Sequence, residues 1–441
     1  MQTKVARHLL KICANLVEHL KKILFSEEFL SRHRQSPRDF SRTRLLPMPS
    51  VILLLMNLMK SALQVELDFF FKAILRADTA IHEVSDSAFC QARKKLKHQA
   101  FLELNQEQMK FFSHHFPQRN WHGFRLLAFD GSTLQLPREE EIIHHFGGVE
   151  FSPDSSCPLA RVSQLYDLRN KLTLDAVISP YSIGERELAI QHLPFLAEYD
   201  LALVDRGYAA FWFFAMLRSR KAHFCARMNV DQWAVVHQFY RSGKKEAIVT
   251  IRPSFHSVQK CREYDISTNP LSVRLIRVEL ENGDIEILMT SLLDLTQFPS
   301  ELFGALYHER WGIEENFKTM KHRLQMENFT GKSVESVYQD FHARIFSLNL
   351  TAVLIHNVQD EITHESTNRF YSYQVNFTKA LSYIKDTLVL LFVRSSVTTL
   401  INDLMNLFRQ KPEPIRPDRN YSRKRKIRNR QTYSFGYKQT R

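Results

Sequence analysis

Up to about residue 115, apolar positions recur at intervals of three and four, which predicts helices. Val5–Leu24 keeps that spacing. Ser50–Lys60 is a strongly apolar helix after Pro47 and Pro49, and Ser85–Phe101 opens on good capping residues. Pro117 to Gly123 reads as a linker. Short apolar runs follow and predict strands: Phe124–Asp130, Ser163–Asp167, Leu172–Ile178, Asp200–Asp205 and His223–Met228. Arg169-Asn170 marks a hairpin, while Glu185–Leu193 and Ala209–Ser219 read as helices. Between 229 and 300 the chain alternates with β-branched residues, and Asn282-Gly283 signals a two-residue hairpin turn. After Leu324 the pattern is helical again to about Phe408.

One predicted helix, Glu301–Leu324, carries an unusual set of polar residues. At about 100° per residue, Tyr307, Arg310, Glu314 and Lys321 fall within roughly 60° of one another. The apolar stripe of Leu302, Leu306, Ile313, Phe317, Met320 and Leu324 is centred about 80° to one side. The four polar residues therefore line the edge of a buried face. A set of surface charge pairs is the alternative. Glu309 and Glu315 lie outside the cluster and are expected to be solvated or salt-bridged.

Composition narrows the function classes. The chain has 441 residues, 44% of them hydrophobic, which is enough for two or three domains with real cores. Gly is scarce at 12, and neither GxGxxG nor GxxxxGK[ST] occurs, so nucleotide-cradling loops are disfavoured. The five cysteines are dispersed and lack zinc spacing, which fits a reducing compartment. No apolar run is long enough to span a bilayer, and the amino terminus lacks a signal-peptide core with a cleavage site. The formal charge is +13, and residues 409–441, with 12 Lys/Arg against 2 Asp/Glu, carry +10 of it. Such a tail suits a polyanion, most simply nucleic acid. A cytoplasmic, nucleoid-associated location is expected.

Two apolar strands end in Asp, at Asp130 and Asp205. Strand ends converge on the rim of a sheet, where ligands bind. With Glu314 from a helix beside that rim, three carboxylates can hold two hard divalent cations. Taken singly, either Asp reads as a turn or N-cap residue.

Asp130 within FDGS, Asp205 within VDRGY, and Tyr307-x2-Arg310-x3-Glu314-x6-Lys321 together resemble the DDE transposases of bacterial insertion sequences. More narrowly, they resemble the insertion-sequence-four group with its Y-R-E-K signature. QARKKL near residue 91 and RVSQLYDLRNKL are also similar to the group. The resemblance spans about residues 80–360. It implies an α/β fold with a ribonuclease-H-like core. A β-rich insertion at about 229–300 would account for the long gap between Asp205 and Glu314. It implies two Mg²⁺ or Mn²⁺ ions at Asp130, Asp205 and Glu314. It also implies hydrolysis at the element's ends, followed by attack of the freed 3′-hydroxyl on target DNA. Tyr307, Arg310 and Lys321 inherit contacts to terminal phosphates, for which guanidinium, ammonium and phenol are suited.

On this reading residues 1–118 are a helical DNA-binding domain and 119–340 the catalytic domain. Residues 341–408 form a helical region and 409–441 a basic tail. Arg93, Lys94 and Lys95 form a DNA-contacting face, or else a plain solvated one. Arg227 reaches DNA or makes a sheet-edge salt bridge. Trp233 is placed to stack on a flipped base, with a core role as its alternative. Arg423, Lys424 and Arg425 belong to a phosphate-binding arm, or to a disordered solubilising tail. The expected partner is double-stranded DNA, both terminal inverted repeats and target, bound by a homodimer that pairs two ends. A nuclease of the same fold that cuts without joining, and a catalytically silent DNA-binding protein, are the competing readings.

Overall fold

The computed structural model describes residues 2–42, 44–152 and 155–416. These residues fold into two compact units. The first is built from Met1–Pro117, Leu134–Ala160 and Thr319–Arg441, the second from Gln118–Thr133 and Arg161–Lys318. The chain therefore crosses between them more than once. The chain first leaves the first unit after Pro117, and position 340 lies within that unit.

The first unit is helical around one long helix, Val334–Glu365. Its residues from Phe341 to Val358 are buried on all sides, so it has no amphipathic stripe. Ser333 and Ser336 cap its start reciprocally. Helices Gln99–His115, Met48–Met56 and Thr398–Arg409 pack around it. Several polar groups inside this bundle find partners, although both side-chain polar atoms of buried Gln108 have none among the described residues. Ser347 donates to the Met56 carbonyl at 2.6 Å, and Asn349 to Asn105 at 2.7 Å. The Asp86–Arg93 helix ends in a side chain that points inward. Arg93 is 3% exposed, pairs with Asp340 at 2.9 Å, and donates to Gln339 and Thr330. This corrects the expectation that Arg93 belongs to a DNA-contacting face; of the three, Lys94 is exposed and Lys95 half-buried.

The second unit is built on a mixed sheet. Its strands are β1 (Arg125–Gln135, as far as Thr133), then, after β2 (Gly148–Ser152) of the first unit, β3 (Ser155–Asp167, from Arg161), β4 (Leu172–Pro180), β5 (Asp200–Val204), β6 (His223–Arg227), β7 (Glu246–Ile251), β8 (Leu271–Glu279) and β9 (Ile285–Thr290). The order across the sheet is β4-β3-β1-β5-β6-β9-β8-β7. β1, β5 and β6 are parallel neighbours, and the strands from β6 through β9, β8 and β7 are antiparallel. The parallel strands read as continuous apolar runs because both faces are covered; all of β5 is buried.

Three expectations change in detail. Strand β1 continues past Asp130 to Gln135, so Asp130 lies within the strand and not at its end. The segment at 229–300 contributes β7–β9, which extend the main sheet through β9, and also two helices, Ala234–Arg241 and Phe255–Glu263. The turn at Asn282-Gly283 is present, but residues 280–284 link β8 to β9, with Gly283 at φ +81°. Among the described residues no helix is long and apolar enough to cross a membrane.

Candidate active site

The predicted helix Glu301–Leu324 is broken. Leu302–His308 ends in a turn at Glu309 and Arg310, Trp311–Lys318 follows, and Thr319–Arg323 is π-helical. Three contacts set this break against the sheet. Arg169, in the β3–β4 turn, grips Glu309 with two hydrogen bonds of 2.9 and 2.6 Å. Gly312 lies so close to Leu168 that a Cβ there would come within 3.1 Å of its side chain. Asn316, 7% exposed, donates to Gln164 at 3.0 Å and Thr173 at 3.3 Å. The Trp311–Lys318 helix is thereby fixed over β3 and β4.

The sheet brings the two aspartates to one end. Ala128 of β1 is paired with Leu203 of β5 in parallel register. Continuing that register by two residues brings Asp130 level with Asp205. Asp205 caps the single turn Arg206–Tyr208 and accepts from the Gly207 N–H at 2.6 Å. Asp130 accepts from the Gly131 N–H at 2.9 Å. The Tyr307 hydroxyl donates to the carbonyl of Val204, the residue before Asp205, at 3.2 Å. Tyr307 is 5% exposed, and burial raises the pKa of its phenol. Its hydroxyl thus serves as a clamp between the Leu302–His308 helix and the end of β5.

Electrostatics link these residues. The Asp130 carboxyl is pushed up to about 6, first by burial and then by the charges of Asp205 and Glu314; the Gly131 N–H and Arg310 act the other way. Arg310, 4% exposed, donates from Nη2 to Glu314 Oε1 at 2.6 Å. Its guanidinium also lies 6.0 Å from the Tyr307 ring centroid. Both rival acids are paired as expected: Glu309 with Arg169, and exposed Glu315 with Lys318 at 2.5 Å. Lys321 lies in the π-helical stretch, in the first unit, where burial lowers its pKa and Glu327 opposes the shift.

A hard divalent cation suits this donor set, which is all carboxylate oxygen and carries mutually repelling charge. Among the described residues no three His, Cys, Asp or Glu side chains are grouped closely enough to hold a metal ion. The Arg310 guanidinium supplies positive charge at Glu314. The residues therefore fit such an ion by chemistry, with Glu314 engaged by Arg310.

Of the weaker candidates, Arg227 is brought level with Asp205 when the β5–β6 register is continued by one residue, and its charge acts on Tyr307. Arg227 pairs with Glu286 at 2.8 Å, and β6 is flanked by β5 and β9, so this ion pair is not at a sheet edge. Trp233 is half-buried and lies 6.3 Å from the Phe214 ring. Arg423, Lys424 and Arg425 lie outside the described residues.

Two residues near the acids escaped the sequence reading. Tyr208 is 1% exposed, and its hydroxyl has no hydrogen-bond partner among the described residues. Burial raises its pKa strongly, and Asp130, Glu185 and Asp205 add to the rise. Its place three residues after Asp205, in a turn rich in polar residues, was the available signal. Glu185 packs on Gly131, where a Cβ would meet its side chain at 2.9 Å; nothing in the sequence links the two. A third group imitates catalysis without the means for it. His192 bridges Asp175 at 2.6 Å and Ser163 at 2.9 Å, as in a serine-nucleophile triad, but Ser163 and His192 are fully buried and no substrate reaches the hydroxyl.

Comparison with known proteins agrees with the resemblance read from the motifs. The family model described as "Transposase DDE domain" matches residues 121–350. The transposase InsG for insertion sequence element IS4, from Escherichia coli (strain K12), is 23% identical over 345 residues, covering 77% of this chain and 76% of that protein. The putative transposase InsZ of the same organism is 29% identical over 89 residues, 20% of this chain and 30% of its own length. Among solved structures, the piggyBac transposase synaptic complex with hairpin DNA aligns over 91% of this chain and 87% of its own, at 10% identity and a TM-score of 0.45. With the family model covering more than half of its length, the chain belongs to the DDE transposases, in the insertion-sequence-four family.

Proposed function

We propose that the transposase activity resides in Asp130, Asp205 and Glu314 acting together on a DNA phosphodiester. The observation that carries this reading is the parallel register of β1 and β5, which brings Asp130 level with Asp205. Asp130 responds to the charges of Asp205 and Glu314, although the residues come from two strands and a helix far apart in sequence. A ribonuclease-H-like core is the matching fold reading, supported by the parallel strands β1, β5 and β6 that carry the aspartates to one rim.

On this reading the three carboxylates hold two Mg²⁺ or Mn²⁺ ions. When bound, such ions activate the attacking oxygen and stabilise the leaving one in phosphoryl transfer. The chain's own residues do the rest. Arg310 exchanges its bond to Glu314 for the phosphate oxygens, for which its forked donors are suited. Tyr307 keeps the Leu302–His308 helix on the end of β5, so it acts chiefly by positioning. Lys321 supplies a point charge to a neighbouring phosphate. Hydrolysis at the element's ends then leaves a 3′-hydroxyl, which attacks target DNA at the same site.

The partner is double-stranded DNA, terminal inverted repeats first and target second, with a homodimer pairing two ends in the cytoplasm at the nucleoid. Lys94 and Lys95 and the tail residues Arg423, Lys424 and Arg425 add phosphate contacts; Arg227 and Trp233 keep structural roles. The test is a reaction of the full chain with Mn²⁺ and duplexes carrying the ends of its own element. Joined products alongside nicks support transposition. Nicks without joined products give the nuclease reading, and binding without nicks the silent one.

A further inference from the structure

Beside the Asp205 turn the second unit holds a cavity of about 590 Å³ that the acids do not use. Gly207 forms part of its wall, and so do Arg161, Arg186, Lys260, Trp212 and Glu185. Two contacts tie it to the strands that carry the aspartates. Arg186 donates from Nε to the Gly207 carbonyl, two residues after Asp205. Glu185 packs on Gly131, one residue after Asp130.

Two of the residues that line it, Trp212 and Arg161, each carry a buried donor that lacks an acceptor among the described residues. The Trp212 indole N–H is buried, in a residue 3% exposed, and finds no partner among the described residues. The same holds for the Arg161 Nε–H, although that guanidinium reaches Glu185 at 3.1 Å and the Tyr181 carbonyl at 3.4 Å with its other nitrogens. Lys260 is shared loosely between Glu263 at 2.9 Å and Glu187 at 3.7 Å. Two carboxylates, Glu185 and Glu187, also line the cavity; they face Arg161 and Lys260, while Arg186 bonds the Gly207 carbonyl and His256 stands beside them. The accessible donors on the wall are Arg186, Lys260 and His256, all at least partly exposed, and the ligand that suits them is an acceptor with several oxygens and negative charge.

We propose that this cavity is a subsite for a backbone phosphate of the DNA strand lying beside the phosphodiester that is cut. The inference rests on the transposase reading of the three acids. A phosphate there holds the strand in register on the Asp205 turn, through Arg186 and Lys260, without reading any base.

The experiment is a salt titration of DNA binding by the full chain. It uses a duplex carrying its element's end and compares the native chain with Lys260→Gln and Arg186→Gln. Both side chains sit at the cavity wall and are at least partly exposed, so a thermal melt verifies that each variant folds. The slope of log affinity against log salt should fall by about 1 for each variant. Duplexes neutralised by a methylphosphonate at one position at a time then locate the contact. At one position near the cut the loss seen with the native chain should vanish in the variants. Unchanged slopes, or losses that add at every position, overturn the subsite. Inorganic phosphate that binds the native chain and not Lys260→Gln, with unchanged DNA slopes, makes it a site for free anions and overturns the DNA assignment. A native chain that binds no DNA at all overturns the transposase reading itself, and is thereby distinguishable from failure of the subsite alone.

Discussion

Arg310 Nη2 donates to Glu314 Oε1 at 2.6 Å, four residues along the chain and across the break between two helices. The arginine is almost fully buried, whereas the glutamate keeps 25% of its side chain in solvent. On the proposed reading this pair makes Arg310 a competitor for the cation that Glu314 would hold. Arg310→Gln should therefore lower the Mn²⁺ concentration that half-saturates the rise in Tm, while DNA cleavage falls. A half-saturation point that stays put or moves upward would show that the guanidinium does not compete. Glu314→Gln should remove cleavage by at least about a hundredfold, since even an outer partner of a metal ligand is worth 10- to 100-fold. Glu315→Gln, which only loses its surface contact with Lys318, should cleave as the native chain does.

Asp130 has a pH signature of unusual sign. Its folded pKa of about 6 lies above the ordinary 3.8, so between these values the folded state binds more protons than the unfolded one. Stability then falls as pH rises through this window, and the penalty is complete above about 6. Asp130→Asn should raise stability at pH 7.5 by on the order of 2 kcal/mol and give no gain near pH 4. Chemical denaturation at the two pH values measures this. An equal effect at both would mean that the carboxyl is not held protonated by its surroundings.

Arg93 and Lys94 are neighbours with opposite fates. Arg93→Met breaks a buried pair with Asp340 and should cost about 3–5 kcal/mol. Lys94→Ala touches an exposed side chain and should stay within about 0.5 kcal/mol. Urea denaturation of both variants decides this; a mild Arg93→Met would show that Asp340 is sufficiently held by its bonds from Thr330 and the charge of Arg344.

These residues also mark where sequence ceases to inform. The proposed acids each stand in a short motif, and Glu309 and Glu315, set apart from Glu314 by angle on a helix wheel, are both ion-paired. Angles survived the break at Glu309–Arg310 because Arg310 and Glu314 remain one turn apart. The break itself was not legible. It is held by Arg169 and Leu168, which lie more than a hundred residues earlier. Arg93 looked like its basic neighbours because the acid that draws it inward is 247 residues away. Strands β7–β9 were legible as strands, yet their attachment to β6 depends on the long-range pairing of Cys225 with Thr290. Asp130 read as a strand end because Gly131 and Ser132 look like a turn, whereas strand pairing carries β1 through them.

The most direct measurement is Mn²⁺-dependent nicking of a duplex carrying the element's own end, by the native chain and by Asp130→Ala, Asp205→Ala and Glu314→Gln in parallel. The three carboxylates acting as one site predict nicking by the native chain and none by any variant, with all four proteins still folded and binding the duplex. Nicking that persists in any one of the three would contradict the assignment of that acid, and persistence in all three would place the chemistry elsewhere in the chain.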